Sequence, residues 1–196
     1  MKSLTAPLAT AILLICAAVF FSLPVEAAPP GLEVTITVTI SQSVTIAWGT
    51  GTSTDDSGVQ HPAGNTGAFH WIVKNTAGAV LNTGETVSNN DTPNSKTIKV
   101  SCLSQTGSAA AISASVSTPA GWSVGTATAT NKFAILASLG AAPVNLDSTQ
   151  SRPLGTVASG TANDQELILA LTTPQAVDQL TDSDQVICVT LTGVVP

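Results

Sequence analysis

From Val34 to Ile40 apolar and hydroxyl side chains alternate without a fault: Val34, Ile36, Val38 and Ile40 against Thr35, Thr37 and Thr39. A period of two puts the four apolar residues on one face, so the segment predicts a strand with that face buried. Ser41-Gln42-Ser43 interrupts the alternation, and Val44, Ile46 and Trp48 resume it. Such a break predicts a bulge or a crossing from one sheet to the other. Phe69, Trp71 and Val73 share a face, as do Ile98, Val100 and Cys102. Ala111–Ser117 and Lys132–Leu139, the latter carrying Phe133, Ile135 and Leu136, predict two more strands. Glu166–Leu171 reads as a short helix capped by Thr161 or as a strand; its shortness and its end at Thr172-Thr173-Pro174 favour the strand. Gln185–Val194 has Val186 and Cys188 on one face and Ile187, Val189 and Leu191 on the other, which predicts a central strand.

Polar, turn-forming stretches separate these runs. Gly49–Gly67 is a long loop rich in Gly, Thr, Ser, Asp and Asn. Asn75-Thr76-Ala77-Gly78 is a turn from which Ala79-Val80-Leu81 returns as a hairpin, and residues 82–95 are again turn-rich. The spacing gives about nine short strands and no long helix. The chain is therefore expected to be all-β, a two-sheet antiparallel β-sandwich of jelly-roll or immunoglobulin-like topology. It contains no Tyr, so an antibody-type domain with its tyrosine corner is not expected.

The first 27 residues stand outside this pattern. Lys2 precedes an uncharged apolar run from Ala9 to Leu23, Pro24 ends it, and Val25-Glu26-Ala27 offers small residues for cleavage. This reads as a secretory signal peptide, since the run is shorter than the ~20 residues of a membrane span. Ile15 before Cys16 is too large for a lipidated cysteine. The expectation is one exported domain, residues 28–196, extracellular or at the cell surface and with no membrane contact after cleavage.

Export changes the reading of the cysteines. Cleavage leaves Cys102 and Cys188, which are expected to form one disulfide; inert buried thiols are the alternative. Charge excludes a further class. With six Lys plus Arg against twelve acids and a pI near 4.5, the chain lacks a phosphate-neutralising patch, so no nucleic-acid partner is expected.

Candidate chemistry is sparse. His61 and His70 read as surface residues, with Asp55 and Asp56 their nearest acidic neighbours in sequence. Asp178, Asp182 and Asp184 cluster before the last strand but match no calcium-loop motif, so they are weak metal candidates and no cofactor is expected. Asn90-Asp91-Thr92 is a single N-glycosylation sequon. Trp48, Trp71 and Trp122 are the residues that would stack on a sugar, although alternation points Trp48 and Trp71 inward. No nucleophile elbow and no His-Glu-x-x-His occurs, and a non-enzymatic role is expected.

Several stretches resemble a class of exported bacterial β-sandwich proteins, the TasA-type biofilm fibre subunits and WxL-like surface domains. They are Leu32–Ile40, Thr97–Ser101 leading to Ser115-Val116-Ser117 and Gly121-Trp122, Asn131–Leu136, and Val186–Gly193. The repeated Trp-x-Leu motif is missing, so cell-wall binding of that type is not implied. The resemblance implies a jelly-roll-like, non-catalytic building block of a filament, matrix or surface layer. The segment 32–40 is the candidate donor strand, which would bury Val34, Ile36, Val38 and Ile40 in a neighbouring copy. The chain's own kind is then the expected partner. The same strand folding into its own sheet, and a glycan- or protein-binding module, are the alternatives.

Overall fold

A computed structural model describes residues 34–41, 46–74, 78, 81–104, 107–178 and 185–196. The expected signal peptide, residues 1–27, lies outside the described residues, as does the turn over residues 75–77. The described chain is an all-β sandwich of twelve strands with a single 3-10 turn at Thr161–Asn163. The strands are β1 (Val34–Ser41), β2 (Ile46–Trp48), β3 (Ala68–Val73), β4 (Thr86–Ser88), β5 (Lys99–Cys102) and β6 (Ala110–Ser117). They continue with β7 (Ser123–Gly125), β8 (Lys132–Leu139), β9 (Val144–Asn145), β10 (Arg152–Val157), β11 (Gln165–Thr172) and β12 (Gln185–Val194). Five strands form one sheet in the order β10-β6-β12-β1-β3. The second sheet runs β2-β5-β11-β8-β7, with β4 paired to β11 and β9 to β8.

Between the named strands, pairing is antiparallel except in two places. The first strand β1 runs parallel to the last strand β12, and β7 runs parallel to β8. The interruption after Ser41 is a crossing, because β1 and β2 belong to different sheets. Residues 166–171 are strand, the centre of β11.

Alternation explains the core. Ile36 and Val38 of β1, Phe69, Trp71 and Val73 of β3, and Ile187, Val189 and Leu191 of β12 are buried from one sheet. Trp48, Val100, Phe133, Ile135, Leu167, Leu169 and Leu171 face them from the other. Each fully buried large side chain contributes about 1.5–3 kcal/mol. Leu136 falls on the opposite face of β8 from Phe133 and Ile135 and is 40% exposed. The sheets approach closely at Gly193: a Cβ there would sit 2.7 Å from Ile46 Cγ2.

Candidate functional site

The candidate assembly strand is β1. Its side chains at Ile36 and Val38 are fully buried; those of Val34 and Ile40 lie outside the described residues. It is an interior strand of its sheet, between β12 and the edge strand β3, with Val34–Ser41 in register with Gln185–Thr192 on one side and Val34–Thr39 with Val73–Ala68 on the other. Both backbone edges of β1 are thus in ladders, and a central strand leaves a paired groove on both sides if it departs.

The outer edge of β3 is closed by side chains from two loops. His70 N donates to Asp55 Oδ2 at 3.2 Å, Ile72 N to Asp56 Oδ2 at 2.7 Å, and Lys74 N to Asn94 Oδ1 at 2.7 Å. The carbonyls are used as well: Asp56 N donates to His70 O, and Asn94 Nδ2 to Lys74 O. Three successive outward amides are therefore capped by two carboxylates and an amide, which blunts the edge against another strand. Other edges are covered locally. The loop at Asn65 and Gly64 bonds Trp48 of β2, and Ser148 donates to Val124 O of β7. In β10, Pro153 and a register shift between Pro153 and Gly155 interrupt the ladder.

Asp55 organises the long loop beneath this edge. Its Oδ1 accepts from Ser57 N, Ser57 Oγ and Val59 N at 2.8–3.0 Å. Its Oδ2 meets His61 Nε2 at 3.2 Å. Burial alone would raise this carboxyl, but the donors from Ser57, Val59, His70 and His61 outweigh it and hold its pKa at about 2. His61 is not at the surface as expected. It is buried with ring centroids 5.3 Å from Trp48 and 5.0 Å from Phe69. The carboxylate that satisfies its nitrogen makes that burial affordable. Asp56 pairs with Lys96 Nζ at 2.7 Å.

A second buried polar group was hidden in the turn-rich stretch. Asn89 is fully buried, donates to the carbonyls of Lys96 and Leu167 and accepts from Leu169 N. It fills the gap along β11 between the residues paired to β5 and those paired to β4.

The cysteines correct an expectation: Cys102 and Cys188 are free thiols, not a disulfide. Alternation along β12 is the reason. Cys188 lies between the inward Ile187 and Val189 and turns to the outer face of its sheet, while Cys102 points into the core from the other sheet. Asp178 is engaged with Asn131, whose Nδ2 donates to Asp178 Oδ1; Asp182 and Asp184 lie outside the described residues. All three Trp are buried, at 0%, 0% and 7% exposure for Trp48, Trp71 and Trp122. A hollow of about 340 Å³ lined by Thr50, Thr52, Thr54, Gln60 and His61 has no Trp or Phe among its lining residues. Among the described residues no helix is long and apolar enough to cross a membrane. No family model, curated protein or solved structure matches the chain.

Proposed function

We propose that this protein is a non-catalytic, exported structural subunit of an extracellular filament, matrix or surface layer, and that copies join by exchanging β1. The observation that carries this reading is the place of β1: the first described strand lies inside a sheet, between β3 and the last strand β12, and runs parallel to β12. Every contact it makes in its own domain is available, unchanged, in an identical neighbour. Exchange then creates no new interface. Each copy gives a strand to the next and receives one from the last, a heterologous contact that propagates as an open chain. The capped edge of β3 supports exchange over simple edge-to-edge addition, since the latter finds its amides already bonded. The strand-pattern likeness to exported fibre subunits agrees with this role. The test is negative-stain electron microscopy and light scattering of the mature protein beside a form lacking residues 28–40. Filaments from the first and none from the second are expected. Filaments of equal length and number from both would overturn strand exchange.

A further inference from the structure

We propose that the outer face of the five-stranded sheet is a second self-association surface, on which two copies pack sheet against sheet. It rests on a different observation from the exchange of β1, and uses the face of the sheet rather than its groove.

The register defines the face. Across β12 and β6, Cys188 lies opposite Ser117, Thr190 opposite Ser115 and Thr192 opposite Ser113. The intervening pairs, such as Val189 with Val116 and Leu191 with Ala114, point into the core. On β1 the buried Thr37 continues the row of Cys188 without adding to the exposed surface, and on β3 the half-buried His70 completes it. Val186 and Val194, 44% and 51% exposed, stand at the two ends of β12 on the same side.

No Asp, Glu, Lys or Arg occupies an outward position with a described side chain on β1, β3, β6 or β12. Arg152 of β10 lies opposite the inward Ala114. The chain as a whole carries −6, so most approaches of two copies bring acidic surfaces together. This face brings none, and its burial desolvates no ion. The hydroxyls of Ser113, Ser115, Ser117, Thr190 and Thr192, all half-buried or exposed, each donate and accept, so like faces can satisfy one another across a two-fold axis. Methyl groups of Thr and Val supply the apolar area between them.

The size fits a reversible dimer. Five strands of six to ten residues, about 4.8 Å apart and rising about 3.3 Å per residue, give roughly 500–600 Å² of footprint per copy. Two such faces reach roughly the 1,000 Å² at which specific interfaces begin. The occupant is therefore a second copy.

Cys188 reports on the contact, because it is half-buried at the centre of the face and Cys102 is buried. The mature protein and its Thr190→Lys/Ser115→Lys variant are compared by sedimentation equilibrium and by the rate of maleimide addition at Cys188, each over a concentration series. Both changed residues point outward, and an unchanged Tm establishes that the variant is folded. Expected are a dimer whose Cys188 reacts several-fold more slowly as concentration rises, and a monomeric variant whose rate is constant. A constant rate in the unaltered protein, or a variant that dimerises equally well, would overturn the proposal. Filaments in which Cys188 stays fully reactive separate the two modes: strand exchange then holds and face packing fails. Protected dimers that never lengthen mean the reverse.

Discussion

Replacing Asp55 by Ala removes the acceptor on which the loop before β3 is built. Ser57 and Val59 lie at the exposed end of that loop, so their donors can turn to water. His61 and the His70 amide cannot: His61 is 7% exposed beneath Trp48 and Phe69, and His70 N faces the buried Oδ2. A hydrogen bond to a charged group contributes about 1.5–3 kcal/mol, and a stranded buried donor costs about 1–3. Two stranded donors, partly relaxed, set the expected loss at about 3 kcal/mol. The acid limb adds a second readout. The Asp55 carboxyl is held at about 2 against an ordinary 3.8. A depressed carboxyl contributes stability that is full above its unfolded value and is lost as pH falls through its folded value. For Asp55 the window runs from about pH 4 down to about 2 and is worth roughly 2 kcal/mol. Urea unfolding followed by Trp fluorescence measures both. Asp55→Ala is expected to lower stability by about 3 kcal/mol at neutral pH and to flatten the acid limb by about 2. A loss below about 1 kcal/mol, or acid limbs that run parallel, would refute the reasoning.

Four further outcomes follow from the same geometry. Asp56→Ala frees Ile72 N at the β3 edge and removes the partner of Lys96, so light scattering should record faster aggregation with little change in Tm. Gly193→Ala drives a Cβ to 2.7 Å from Ile46 Cγ2 and should cost about 1–3 kcal/mol in urea unfolding. Gly125→Ala meets only the flexible end of Lys132 and should cost less than about 1 kcal/mol. Titration of native residues 28–196 with a maleimide should label Cys188 promptly and Cys102 only after unfolding, read by mass; a chain with no reactive thiol on unfolding would contradict the free cysteines.

Where alternation was long, the sequence was readable. Val34–Ile40, Phe69–Val73 and Gln185–Val194 are strands because a strict period of two has one structural solution. The shorter elements were not legible. β4, β7 and β9 have two or three residues each, too few for a period, and β10 is masked by Pro153 and Gly155. The outward place of Cys188, opposite Ile187 and Val189, was legible from alternation along β12; the expected pairing with Cys102 came from the number of cysteines in an exported chain, which says nothing about the sheet each one faces from. The Asp55–His61 contact joins residues six apart in a loop with no regular period. Only the fold brings His70 N, fifteen residues on from Asp55, to the same carboxylate. Asn89 escaped for a similar reason, since an Asn in a turn-rich stretch normally signals exposure, whereas here it replaces a missing piece of ladder.

The central claim is that β1 is an exchangeable strand whose groove accepts it from another molecule. The most direct measurement mixes a chain beginning at Gln42 with a synthetic peptide of residues 32–41 and follows binding and thermal unfolding together. The account predicts saturable binding, recovery of a cooperative transition, and capping of filament growth when the same peptide is added to the mature protein. A Gln42 chain that unfolds cooperatively without the peptide and never binds it would contradict the claim, because β1 would then be neither required by its groove nor replaceable within it.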